Sequence, residues 1–272
     1  MRRRRRLFTK LTVAAAAVLG GALPAREAAA ADAAPPGPQD PIVTDRPDFT
    51  ESAETVPAGR AQVEGGVTFR RNGADEELAL GEFLLRVATG ARTELRVNVG
   101  SYLSARGTAG RHTGREDVAL GFKVKLGDAS RRFGLGAPGV ALLGEASLPT
   151  GARAFRENVV QPEVKLCLAW ALSERVALSS NLNYAHRREE GEWFGEPSGS
   201  VSVGYSLAER TGAYLELFGF APPGKGRPNT SYLNGGVSYL VTADYQLDAR
   251  AGVGLNGKTN DYFLGGGASR RW

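Results

Sequence analysis

The stretch Tyr245 to Leu255 reads YQLDARAGVGL. Leu247, Ala249, Ala251, Val253 and Leu255 are apolar, while Gln246, Asp248, Arg250, Gly252 and Gly254 fill the alternate places. A period of two marks a β-strand with two unlike faces. What each face meets decides the fold.

The pattern recurs along the chain. Twelve strands are predicted, over 60–70, 78–88, 93–105, 116–126, 138–149, 160–171, 175–187, 198–207, 211–221, 231–241, 245–255 and 261–272, with no helix-length amphipathic stretch between them. Consecutive strands so closely spaced form an antiparallel meander. Several connections are tight (VATGARTEL, WALSERVAL, YSLAERTGA, YLVTADYQL), whereas others (RGTAGRHTGRE, RREEGEWFGEP, APPGKGRPNT) are longer and polar. One end of the sheet is therefore tied by short turns. Trp170, Tyr205, Tyr239 and Trp272 recur at intervals of 35, 34 and 33 residues on the apolar parity, at that same end. Aromatic rings at one height form the interfacial girdle of a lipid-facing barrel.

A soluble barrel alternates too, with its apolar face inward. Here the polar parity carries charges of both signs, including Arg60, Glu64, Arg86, Glu94, Arg96, Lys123, Glu145, Lys165, Glu216, Asp248 and Arg250. A dry core of aliphatic side chains fills a barrel of about eight strands, not one this wide. The reading is an all-β, antiparallel up-and-down transmembrane β-barrel of about 12 strands, with the odd positions of YQLDARAGVGL on lipid and the even ones on the lumen. Only closure removes unpaired backbone groups from a bilayer. On this reading Val253→Arg impairs assembly and Gly252→Ser is tolerated.

The front of the chain is different. Arg2 to Arg6 and Lys10, an apolar run from Leu11 to Leu23 and a small-residue stretch near Ala31 make residues 1–31 a secretory signal peptide. They hold seven of the 34 Lys+Arg and one of the 29 Asp+Glu, leaving 27 against 28. The mature chain thus lacks the positive surplus that nucleic-acid binding uses. Cys167 is the only cysteine, so no internal disulfide is available. Residues 32–58, rich in Pro and acidic residues, read as an extended segment that hangs in the periplasm or plugs the lumen, with Asp45, Arg46 and Asp48 as plug candidates. The barrel occupies 59–272.

Thr44 to Gly66 (TDRPDFTESAETVPAGRAQVEGG), Pro149 to Gly151, AYLELFGF at Ala213 to Phe220 and the C-terminal LNGGVSYLVTADYQLDARAGVGLNGKTNDYFLGGGASRRW are similar to the bacterial outer-membrane transporter-like "putative meta-pathway of phenol degradation" family. The resemblance covers most of the mature chain. It implies an outer-membrane barrel of a Gram-negative bacterium, regarded in that family as a transporter and in places encoded near aromatic-degradation genes. The partners it implies are outer-membrane lipid, the barrel-assembly machinery through the C-terminal strand, and a small-molecule solute, aromatic or otherwise hydrophobic. Arg270, before the terminal Arg271 and Trp272, falls on the lipid parity and is placed to snorkel.

Catalytic chemistry has little to stand on. GVGLNGKT at 252–259 spells a phosphate loop, but that motif requires a following helix and NDYFLGGGASRRW is another strand. His112 and His186 are the only histidines, and Ser180 lies six residues from His186, about 20 Å along a strand. No catalytic residue, cofactor or metal site is assigned. Glu64, Arg96, Glu145, Glu216, Asp248 and Arg250 are the candidates for the lumen and its constriction, either lining a charge-selective path or cross-pairing to fill the barrel. The function expected is passive passage of small molecules. The alternatives are a non-conducting structural or surface-interaction barrel and, third, an outer-membrane lipid hydrolase.

Overall fold

The computed structural model describes residues 40–272 except 109, 131, 157, 190, 222–228 and 257–260. The expected signal peptide, residues 32–39 and Lys258 of the GVGLNGKT stretch lie outside the described residues.

The strands are β1 (Ala61–Asn72), β2 (Asp75–Gly90), β3 (Thr93–Asn98), β4 (Tyr102–Gly107), β5 (Gly110–Arg115), β6 (Val118–Gly127), β7 (Gly139–Leu148), β8 (Gln161–Ala171), β9 (Val176–Glu189), β10 (Glu192–Ala208), β11 (Thr211–Phe220), β12 (Thr230–Thr242), β13 (Tyr245–Gly254) and β14 (Tyr262–Arg271). Twelve of them, β1 to β3 and β6 to β14, close an antiparallel barrel in which β1 pairs with both β2 and β14. At the seam Ala61 and Trp272 exchange two backbone hydrogen bonds of 3.0 Å. Closure leaves the barrel no edge strand, as hydrocarbon demands.

The third expected strand, 93–105, is divided. The chain turns at Gly100, whose φ of +76° and lack of Cβ let it sit against the Glu116 and Asp117 carbonyl oxygens. Tyr102–Ala105, the end of that expected strand, becomes most of β4, and the polar stretch RGTAGRHTGRE, expected to be a loop, supplies the turn and β5 of the hairpin β4–β5. The reason lies in β2, which at 16 residues is long enough to pair with β3 through Leu84–Gly90 and with β4 through Glu76–Leu80.

Alternation then sorts the side chains. On β11, Leu215 is 59% exposed while its neighbour Glu216 is 1% exposed, inside the barrel. On β13, Leu247 and Val253 face out, and Gln246 and Asp248 are buried. The outward apolar belt belongs to lipid and the charges belong to the lumen, which makes this a transmembrane barrel. Tyr205, Tyr239 and Trp272 stand outward at the short-turn end, and so does Trp170, whose indole N–H donates to the Gly136 carbonyl at 3.0 Å.

Parity breaks once in a way that matters. A bulge sets Glu64 and Gly66 of β1 opposite Leu84 and Gly81 of β2. Gly81 (φ +101°) and Glu82 (φ +42°) absorb it, and Glu82 is delivered into the lumen. Gly252 corrects a second expectation. A Cβ there would run into the Phe263 ring, so Gly252→Ser requires that ring to move.

Candidate functional site: a plugged lumen

The described part of the N-terminal segment, residues 40–58, runs inside the barrel. It starts at the short-turn end, where the Ile42 N–H donates to Ala243 O at 2.7 Å and Arg271 donates to Asp40 O at 2.7 Å. It returns to the same end to begin β1. Between these points it has neither helix nor sheet ladder, so side chains of the wall supply its hydrogen bonds.

Three wall carboxylates grip its backbone. Glu64 accepts the N–H groups of Asp45 and Arg46, both at 3.0 Å. Glu216 accepts Phe49 N–H at 2.9 Å, Thr50 N–H at 2.7 Å and the Thr50 hydroxyl at 2.6 Å, and is itself held by Asn234 at 2.8 Å. Glu94 accepts Val56 N–H at 2.8 Å. The Asn181 carboxamide brackets Glu51, with its nitrogen donating to Glu51 O and its oxygen accepting from Glu51 N, both at 3.1 Å. Charge-assisted bonds of the kind the carboxylates make are about twice as strong as neutral ones.

The segment's own charges are matched in turn. Asp45 meets Arg86 at 3.2 Å, Arg96 at 2.5 Å and Lys123 at 3.2 Å. Glu51 meets Arg96 at 2.6 Å and Lys165 at 3.0 Å, and Glu54 meets Lys125 at 2.6 Å. Arg46 reaches Glu82 at 2.8 Å and Asp248 at 3.2 Å. Asp48 accepts from the Ser202 hydroxyl at 3.2 Å. Phe49, an aromatic member, stacks on Phe218 with ring centroids 4.6 Å apart and meets Phe220 edge-on at 5.5 Å. Behind them Phe218 stacks on Tyr232, and Phe263 closes the cluster. Ala53 packs against Ala141 and Cys167, small residues that let the segment come close to β7 and β8.

Of the lumen candidates, Glu64, Arg96, Glu216 and Asp248 therefore converge on the segment. Arg250 joins them by donating to Pro47 O at 2.9 Å and to the Thr68 hydroxyl at 2.9 Å. Their partners lie mostly in residues 44–56 rather than across the lumen. Glu145 stands apart, in a polar cavity of about 500 Å³ at the long-loop end that Glu163, Arg187, Glu116 and Arg156 also line. A second cavity of about 350 Å³ opens at the short-turn end and reaches Asp48, Ser202 and Tyr214. Of the segment, Asp48 lines the second cavity.

His186 faces outward and stacks on Trp193 at 4.7 Å, directly opposite Gly195, while Ser180 donates its hydroxyl to Ser200 O at 2.8 Å. His112 lies exposed on β5. The structure brings none of these three together.

Residues 44–272 match the family described as "Putative MetA-pathway of phenol degradation". The chain belongs to that family. No curated protein matches it. Among solved structures, it is similar to the NanC porin (TM-score 0.48, 11% identity, 77% of this chain and 98% of that one). It is also similar to the CymD monoaromatic hydrocarbon channel (0.46, 9%, 79% and 88%) and to the translocator domain of the autotransporter NalP from Neisseria meningitidis (0.44, 10%, 78% and 87%).

Sequence reasoning missed two features of the lumen. Glu82 sits in LALGEFLLR four places before Arg86, so the period counted back from Arg86 turns it inward, and Gly81 beside it is the signal for the bulge at which that period replaces the one set by Leu78 and Leu80. Glu51 and Glu54 carry no local signal at all, because their partners are 45 to 114 residues away.

Proposed function

We propose that the protein is an outer-membrane channel for passive passage of small molecules, closed at rest by its N-terminal segment. One observation carries this: inside a lipid-facing barrel with a cavity toward each end, the described N-terminal segment fills the lumen without any strand and is held by wall side chains. Such a segment can leave without breaking any barrel ladder. The family's description supports a solute connected with aromatic degradation, and the resemblance extends that to other hydrophobic compounds. The C-terminal strand β14 is the piece offered to the barrel-assembly machinery, and residues 1–31 direct export from the cytoplasm of a Gram-negative cell.

A second reading rests on the same contacts. The grip of Glu64, Glu94 and Glu216 on backbone N–H groups suits a permanent filling, and so a non-conducting barrel. Planar-bilayer conductance of the refolded chain 32–272, compared with one beginning at Val56, decides between them once heat-modifiable migration verifies both barrels. The channel predicts small or intermittent conductance from the first and steady, larger conductance from the second. Silence from both leaves the non-conducting barrel.

A further inference from the structure

The wall facing Asp45 is charged in a way that a sheet does not tolerate by itself. Arg86 of β2 and Arg96 of β3 are direct cross-strand partners, and like charges so placed repel. Lys123 of β6 adjoins them through its pairing with Glu94. All three side chains are at most 2% exposed. Within ion-pair reach the wall offers them two carboxylates, Glu64 on Arg86 and Glu94 on Arg86 and Arg96, with Glu94 also 3.9 Å from Lys123. Three cations against two anions leave one buried positive charge, which is costly without a partner.

Asp45 is that partner, and Glu51 extends the arrangement from Arg96 to Lys165. Lys165 has Glu163 only at 3.9 Å, and Glu163 is taken up by Arg187 at 2.7 Å. Resting on the channel reading, we propose that Arg86, Arg96, Lys123 and Lys165 form a carboxylate-binding site of the conduit, occupied at rest by Asp45 and Glu51, and that the solutes admitted by displacing the segment are organic monoanions. When the segment withdraws, the cations it leaves require an anion, and a solute carboxylate provides one with the geometry of an aspartate side chain. Across the lumen, Glu216 and Asp248 accept hydrogen bonds and repel a second negative charge, which selects against dianions.

The test uses the full mature chain carrying Asp45→Ala, with acetate as the probe and acetamide as its neutral isostere, read by calorimetry and by thermal shift. Acetate should bind this variant at least about tenfold more tightly than it binds the unaltered chain, and Arg96→Gln added to the variant should remove that gain. Acetate binding no better than acetamide, or indifferent to Arg96→Gln, overturns the site. Should Asp45→Ala not assemble, the unaltered chain tests the same site by protease accessibility. Benzoate should then accelerate cleavage at Glu51 or Glu54 by a glutamate-specific protease and benzamide should not, and equal cleavage with both overturns the proposal. Carboxylate binding to a barrel that never conducts keeps the site and sinks the channel. Conductance without carboxylate discrimination does the reverse.

Discussion

The C-terminal hairpin β13–β14 and the N-terminal segment 40–58 occupy the same barrel and are held in opposite ways. The hairpin's backbone is satisfied by its neighbours, from Tyr245 opposite Arg270 to Val253 opposite Tyr262, so its side chains are free to alternate between lipid and lumen. The segment's backbone has no ladder, and wall carboxylates at Glu64, Glu94 and Glu216 take its N–H groups instead. Fold information therefore resides in different places in the two. A ladder imposes a period, while a plug imposes only complementarity.

The largest effect is expected where that period meets lipid. Ala249 is exposed on the outer face midway along β13, and Ala249→Arg should destabilise the barrel by about 2–4 kcal/mol, read by urea titration in bilayers. A change near zero would mean that this face does not meet hydrocarbon. On the segment's side of the comparison, Glu216→Ala removes the acceptor for Phe49, Thr50 and Asn234 together. It should leave the barrel folded while exposing Glu51 and Glu54 to a glutamate-specific protease by about tenfold or more, since bonds to charged groups contribute about 1.5–3 kcal/mol. Unchanged protection would mean that the grip is distributed over other contacts.

Gly252→Ser tests the boundary between the two regions, because Phe263 covers Gly252 and belongs to the ring cluster that receives Phe49. Overpacking of this kind costs about 1–3 kcal/mol, and a fully neutral substitution would show that the ring moves freely. The smallest effect belongs to Asp244, in the turn between β12 and β13, which accepts from Arg271 at 2.7 Å and Arg60 at 2.9 Å. Burial pushes its carboxyl up, but the hydrogen bonds from Arg271 and Arg60 outweigh it and hold it below the usual carboxylate range. A lowered folded value means that the stabilisation is present above the unfolded carboxyl's pKa, about 3.9, and is lost as pH falls through the folded value. Asp244→Asn should therefore cost less than about 1 kcal/mol at pH 7, with melting curves converging on those of the unaltered chain as the solution is acidified. A difference that widens in acid would contradict the pairing.

Local pattern was enough for the twelve strands that close the barrel, their antiparallel order and the sidedness of their faces, though not for the hairpin β4–β5. Each of these is written in a local period, as Leu215 outside and Glu216 inside illustrate. Tertiary structure alone decided where β3 breaks, since Gly100 makes room for a turn only because Glu116 and Asp117 stand against it. It also decided that a bulge at Gly81 shifts the parity of β2 and that the Phe263 ring stands over Gly252. Above all it decided which charges meet, because Asp45 and Arg96 lie 51 residues apart and Arg46 and Asp248 lie 202 apart. Period reports what a residue's immediate neighbours do, and an ion pair across a lumen depends on the curvature of the whole closed sheet.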